Sequence, residues 1–380
     1  MGRITVRDLA ETAPADVEIV VADRDLRAAR AAAIGLPRAV RVIEVDATRQ
    51  KKLARALAGT NVLINTCHHD LNMAVMDAAM AIGCHYCDLG GLFHVTRRQL
   101  RRNAEFKRAG LLALCGIGSA PGIVNVMARA GADRFDRVRE IHIAVGTRDC
   151  TPRDGADLLE TSYSIQTVLD EASQPAAIFK GGALCFVDAL SHVERVAFPS
   201  PVGPQEAACT IHSELATLPY SFRGKGVREI SFRIAFPGDL ADRLRFVRSL
   251  GLLDMNAVPV DGRRVIPRHV LLALLAKAPK RGMTGSLDEY EILRVTLRGR
   301  RDGQPAEQVL DCHVPGMPDW DVGVDIDTGA PPSIAAQMLL SGAITARGVL
   351  PPEQAVPAEP FFRALRVRNM RVRTSRDAAR

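Results

Sequence analysis

No stretch of this chain comes near the roughly 18 uninterrupted apolar residues that a bilayer-spanning helix needs, so no membrane segment is expected. The amino terminus lacks the basic-then-apolar pattern of a secretory leader, and the expected compartment is the cytoplasm. Cysteine is sparse. Eight in 380 residues are too few for a disulfide framework, and Cys67, Cys115, Cys185 and Cys209 lie in apolar runs, where they read as small buried hydrophobes. Cys84-His85-Tyr86-Cys87 has no second CxxC to complete a four-ligand zinc site, so the reading is core cysteines and no metal. There is no basic helix with interleaved aromatics. Of the net charge of +7, residues 366–380 supply +5 through six Arg and one Asp, which leaves +2 for the rest. Those residues read as a solvated, frayed tail, and no nucleic-acid partner is expected. Internal repeats are absent too.

What is present is ordinary globular composition, 47% hydrophobic and 24% charged, in a chain long enough for two domains. Val17–Asp23 is a β-branched run ending in an acid, and a helix-like segment, Arg3–Ala13, precedes it. In a dinucleotide-binding βαβ unit a glycine loop opens the first helix, and an acid about 20 positions on binds the adenosine ribose. Gly2 lies 21 positions before Asp23, where the third glycine of that fingerprint belongs. The first strand and the first two glycines are missing. The expectation is a start codon placed at an internal Met, with genuine loss of the strand as the alternative.

The following segments alternate. Helices are expected at Leu26–Ala33, Thr48–Ala58, Leu71–Ile82 and Thr96–Ala109. Strands are expected at Val40–Asp46, Asn61–Cys67, His85–Leu89 and Leu111–Gly116. This is the pattern of a parallel sheet with helices on both faces. Thr48 and Asp70 suit helix N-caps, and Gly59, Gly83 and Gly110 suit helix ends. Beyond Gly118 the pattern becomes a helix at Pro121–Asp133 and then strands and helices of a mostly antiparallel α+β domain. Near 328 it changes again, to an apolar helix at Pro332–Leu340. The divisions are therefore 1–120, 121–327, 328–365 and the basic tail 366–380.

Parallel strands carry ligands at their C-terminal tips. Here the tips are Asp23, Asp46, Asn65-Thr66-Cys67, Asp88-Leu89-Gly90-Gly91 and Gly116-Ile117-Gly118. Asp23 suits the ribose hydroxyls of NAD, and Arg24 leaves NADP open. The alternative for Asp23 is a cap on the next helix. Gly90, Gly91 and Gly118 permit close approach of a flat ring, or simply make turns. His68-His69 follow the third expected strand of the alternation, Asn61–Cys67 being counted after Val17–Asp23 and Val40–Asp46, as a base, a substrate ligand or plain surface. In the second half His212 and Glu214, with Arg223 after them, can hold an amino acid: Arg for carboxylate, Glu for ammonium, His for proton transfer. A surface salt-bridge cluster is the alternative.

VADRD (21–25), INTCHHDLN (64–72), CHYCDLGG (84–91), GIGSAPGIVNVMA (116–128), IHSELATLP (211–219) and TGAPPSIAAQMLLSGAITARGVLPPE (328–353) resemble the saccharopine dehydrogenase-like oxidoreductases. The resemblance implies a Rossmann domain, an α+β domain that binds substrate and pairs subunits, and C-terminal helices returning to the first domain. It places the loop after Asn65 and the Asp88–Gly91 segment beside nicotinamide, Asn125 at the start of the neighbouring helix, and His212–Glu214 facing substrate. Saccharopine reductases and their polyamine relatives carry an acid before the Pro-Gly that matches Pro121-Gly122. Ala120 stands there, as in lysine 6-dehydrogenases. The expected function is NAD(P)-dependent oxidative deamination of an amino acid, lysine foremost, by a homodimer, with NAD the preferred cofactor and NADP possible. His212, then His68, would move the proton, and Asp88, Asn125, Glu214 and Arg223 would contact substrate. Saccharopine or carboxynorspermidine-type chemistry and a silent binding subunit are the alternatives.

Overall fold

The computed structural model describes residues 1–374 except 156–158, 160, 162 and 280. Its first part runs α1 (Gly2–Thr12), β1 (Val20–Asp23), α2 (Leu26–Ala33), β2 (Arg41–Glu44), α3 (Gln50–Ala56), β3 (Val62–Asn65), α4 (Asn72–Ile82), β4 (His85–Asp88), α5 (Leu92–Leu100), α6 (Asn103–Arg108) and β5 (Leu112–Leu114). Then follow α7 (Ile123–Ala132), β6 (Arg137–Asp149), α8 (Ile165–Ser173), β7 (Ala176–Lys180), β8 (Ala183–Val187), β9 (Ser191–Ala197), β10 (Pro204–Cys209), α9 (Glu214–Ser221) and β11 (Glu229–Ala235). The remainder is α10 (Leu240–Ser249), β12 (Val258–Val260), β13 (Arg263–Val265), α11 (Pro267–Lys277), β14 (Glu289–Arg301), β15 (Gln304–Val314), α12 (Ile326–Leu340), β16 (Gly348–Leu350), α13 (Pro352–Ala355), α14 (Ala358–Val367) and β17 (Arg371–Thr374).

The fold is α/β, with a Rossmann-like parallel part and a mostly antiparallel mixed sheet. The parallel strands form two groups rather than one sheet: β1–β2, and β16–β5–β4–β3. Among the described residues no strand joins β1 to β3. A shared apolar layer keeps the groups together, because Val45, Leu53, Leu57, Leu63, Val75 and Met76 pack in one cluster. The larger sheet is ordered β17–β15–β14–β6–β11–β10–β9, with β7 and β8 extending from β11. Within it β6 and β11 run parallel.

Helix α7 is apolar on nearly every side and lies in the main core between the two parts. Helix α12 packs on α1 and against β3 and β4. It begins at Ile326, not Pro332, and carries Pro331 and Pro332 inside it. Proline favours a helix start, but here packing against α1 holds a turn ahead of both prolines. The expected helix 96–109 is two helices. Its break lets the Asn103 side-chain oxygen accept the Val349 backbone N–H at 2.9 Å. Thr48 donates to Asp46 instead of capping α3, and Asp25, not Asp23, caps α2. Asp70 lies in the short turn before α4, which starts after Leu71. Gly59, Gly83 and Gly110 do take positive φ after their helices.

Residues 366–374 are not a frayed tail. Arg368 is buried on Asp8, and β17 pairs with β15; residues 375–380 lie outside the described residues. Cys115 and Cys209 are buried, whereas Cys67 and Cys185 are exposed: the first stands at a strand tip, the second on the outlying β8. Cys84 and Cys87 enter different apolar clusters, so the alternation of a strand keeps them from sharing an ion. No helix among the described residues is long and apolar enough to cross a membrane.

Candidate active site

The parallel strand ends form a rim. Asp23 is exposed at the tip of β1 and accepts the Asp25 N–H at 2.9 Å. Arg24 beside it is exposed and acts electrostatically on Asp46. The Asp46 carboxyl lies below its usual range, chiefly through the Thr48 hydroxyl at 2.7 Å and the Thr48 N–H at 2.9 Å. Asp23 and Arg24 both act on the Cys67 thiol, which burial and then Asp23 push up. The tips of β1 and β3 therefore share one region although their sheets are separate. Gly2, first residue of α1, sits so close to β3 that a Cβ there would come within 2.8 Å of Thr66 Oγ1. The amino end of α1, with its free N–H groups, thus points at the same rim.

Asn65 is a fixed part of the rim. Its amide donates to Asn72 at 2.9 Å and to the Tyr86 hydroxyl at 3.2 Å, and its oxygen accepts the Cys67 N–H. Gly90 and Gly116 take positive φ, and a Cβ on either would strike Pro121. Gly91 is bare because Gln99 and Thr96 crowd it, and Gly118 lies against Thr328.

Two residues expected to meet substrate are already saturated. Asp88 is fully buried and accepts from Gly90 N, Gly116 N, the Tyr86 hydroxyl and Gln99. Its four acceptor positions are taken, two of them by the rim glycines, leaving none for substrate. Asn125 accepts the Gly122 N–H at 3.0 Å and donates to Glu353 at 2.8 Å, tying α7 to α13. Arg223 does not join His212 and Glu214. It is exposed beyond the far end of α9, about 13 Å along the helix direction at ~1.5 Å per residue.

Segment 212–214 meets the rim through Ser213. That hydroxyl donates to the Leu92 carbonyl at 2.9 Å and contacts Thr96 Oγ1 at 3.1 Å and the Gly91 N–H at 3.4 Å. His212 is buried and stacks on Phe232, with ring centroids 3.7 Å apart. Its Nδ1 is 2.6 Å from Glu214 Oε2, and its Nε2 is 3.7 Å from Glu171 Oε1. Burial alone would lower its pKa, but Glu214 and Glu171 outweigh that and raise it to about 10. His212 is an imidazolium at neutral pH. Its Nδ1–H is committed to Glu214, whereas 3.7 Å is longer than a hydrogen bond and leaves Nε2–H available.

The sequence reading missed the carboxylates opposite. Glu171 accepts the Tyr163 hydroxyl at 2.6 Å. Next to it Asp170 is held by Arg268 and lies 3.7 Å from His69 Nε2. An Asp-Glu pair ending an amphipathic helix carries no sequence signal distinct from a solvated face. His68 and His69 stack at 4.0 Å, and His68 Nε2 is buried without a partner. The His69 pKa is lowered, first by burial and then by His68. Among the described residues, His68, His69 and Asp70 bring three possible metal-ligating atoms within 4.8 Å of one another.

A parallel-strand rim beneath a buried His–carboxylate cluster from a second domain defines a two-domain, Rossmann-type oxidoreductase. Residues 1–114 match the saccharopine dehydrogenase NADP binding domain, and residues 118–370 match the saccharopine dehydrogenase C-terminal domain. The chain belongs to the saccharopine dehydrogenase family. Apo saccharopine dehydrogenase (L-Glu forming) from Saccharomyces cerevisiae shares the fold, with a TM-score of 0.73 at 17% identity over 100% of this chain and 98% of that one. Carboxyaminopropylagmatine dehydrogenase of a Synechocystis strain is 23% identical over 349 residues, 88% of this chain and 85% of that protein. Carboxynorspermidine synthase of Vibrio alginolyticus is 23% identical over 325 residues, 80% of this chain and 75% of that protein.

These relatives turn the reading away from lysine 6-dehydrogenases. The family's NADP-binding first domain likewise turns the cofactor preference read from Asp23 towards NADP. The residues present fit a nicotinamide nucleotide. Asp23 and Arg24 would flank a ribose, and the start of α1 would face a pyrophosphate.

Proposed function

We propose that this chain is an NADP(H)-dependent dehydrogenase that joins an amine to an aldehyde or keto acid by reductive amination, and cleaves the resulting secondary amine in reverse. The observation that carries this reading is the His212 imidazolium set between Glu171 and Glu214 beside the rim. A cluster of acids beside the rim suits cationic amine and iminium groups. Both curated relatives named above act, by their names, on carboxylated amines of the polyamine kind.

The bound cofactor supplies hydride at its nicotinamide C4. The chain's own groups handle protons and charge. Amine and carbonyl condense to a carbinolamine, and His212 Nε2–H donates a proton as its hydroxyl leaves as water. Glu171 and Glu214 stabilise the iminium that forms and restrain the imidazole. Ser213 holds this segment against Gly91 and Leu92, which fixes the cluster relative to the rim. Arg24 would meet a 2′-phosphate and Asp23 a ribose hydroxyl.

The test follows loss of NADPH absorbance with an alkyl diamine plus an aldehyde-bearing α-amino acid. Oxidation should require both substrates, and lysine with NADP should give no reduction. No NADPH oxidation by folded protein with any amine–carbonyl pair, or efficient turnover of lysine alone, overturns the proposal.

A further inference from the structure

A second pair of acids lies near Tyr163. Glu291 lies near the start of β14, where the Thr147 hydroxyl donates to its Oε2 at 2.8 Å. Asp327 stands in the first turn of α12. The two carboxyls face each other in hydrogen-bonding contact, which only a shared proton can satisfy. Asp327 is 3% exposed; its Oδ1 accepts the Thr328 hydroxyl at 3.1 Å, and its Oδ2 is buried with no donor other than a proton shared with Glu291. Glu291 keeps part of its surface open.

The surrounding charges deepen the deficit. Glu289 is taken up by Arg153 at 3.1 Å and by the Val324 N–H at 3.1 Å. Asp311 on β15 is paired with Arg294. Asp325 adds negative charge beside Asp327, and the Cys312 thiol, pushed up by burial, lies beside both carboxyls. Among the described residues neither Glu291 nor Asp327 has a cationic partner. Two buried carboxyls with only one proton between them and no cation are under-compensated, which suits a cationic ligand group.

The position is informative. Thr328 packs against Gly118 of the rim. Tyr163 donates to Glu171 and also lies within electrostatic reach of Glu291, so it is close to both acid groups. We propose that Glu291 and Asp327 form the subsite for a second cationic group of the substrate, an ammonium or guanidinium one alkyl chain away from the reacting nitrogen. This rests on the amine reading given above and names the substrate class within it. A dication would place its reacting end at His212 and its far end between Glu291 and Asp327, replacing their shared proton.

Titration calorimetry on the full chain with NADP present tests this, using putrescine, agmatine and butylamine as probes. Wild type should bind the two dications at least about tenfold tighter than the monoamine, the worth of one charge-assisted contact. In Glu291→Gln and Asp327→Asn that preference should collapse. Repetition in buffers of different ionisation enthalpy should show proton release on dication binding by wild type and none by either variant. Circular dichroism establishes that the variants are folded. Equal affinity of wild type for all three probes, or an undiminished preference in folded variants, overturns the proposal. Loss of preference in the variants without NADPH oxidation by wild type would leave the subsite standing and remove the reaction. Turnover by wild type with an unchanged preference in the variants would do the reverse.

Discussion

Asp8 and Arg368, 360 positions apart, share two buried hydrogen bonds: Nε to Oδ1 at 2.7 Å and Nη2 to Oδ2 at 2.9 Å. Ser333 on α12 donates to the same carboxylate. One carboxyl thus ties α1, α12 and the end of α14 together. Cutting one partner strands a buried charge. Arg368→Met should lower unfolding free energy by about 3–5 kcal/mol in urea titration, whereas Asp8→Leu with Arg368→Met should recover much of that loss.

Gly122 has φ +137, and a Cβ there would overlap the Gly118 carbonyl. The Gly118 N–H bonds the Pro121 carbonyl at 2.7 Å, so the turn has no room to open. Gly122→Ala should cost more than about 3 kcal/mol and sharply reduce soluble, folded protein, as measured by expression and thermal melting. Gly262→Ala is the control: it too has positive φ, but nothing lies within 4 Å, so only backbone strain should appear.

His212 should give stability a pH signature. Its folded pKa, about 10, stands above the ordinary 6.5. The stabilisation is complete below the unfolded value and is lost as pH rises through the folded one. The melting-temperature gap between wild type and His212→Gln should therefore be widest below about pH 6.5 and narrow steadily from there towards pH 10. A gap that does not change with pH would mean that the ring stays neutral.

Arg24 should set the cofactor preference. It is exposed beside Asp23, as expected for a guanidinium that meets a 2′-phosphate. Arg24→Ala should weaken NADPH binding about tenfold in fluorescence titration and leave NADH binding little changed. Asp23→Ala should weaken both.

The second acidic pair gives an opposite sign. Burial raises both carboxyls, and repulsion from Glu291 adds to it at Asp327, which lies well above its usual range. Acids with raised pKa values cost stability as pH climbs past their unfolded values. Asp327→Asn should therefore raise the melting temperature of ligand-free protein at pH 8, an advantage that fades near pH 4.

Much of the first part was legible because its signals are local. A β-branched run ending in an acid, a glycine after each helix and an apolar period of two or four residues report on neighbours within one turn. Leu26–Ala33 was readable to its last residue for that reason. Strand β17 and helix α9 were not readable. An arginine-rich strand forms only because β15 offers it an edge, and Glu214–Ser221 contains Pro219.

The linear order of residues determined the alternation of strands and helices, the line of strand tips and the family. Tertiary structure alone decided what those tips are used for. Asp88 and Asn125 looked like substrate ligands and are taken up by backbone and side-chain groups around the rim, while Glu171, Glu291 and Asp327, unremarkable in the sequence, are brought together as buried acids. The reason is physical: hydrogen-bond saturation and charge pairing depend on groups brought together from distant positions, and no local pattern encodes which acid will be left without a partner.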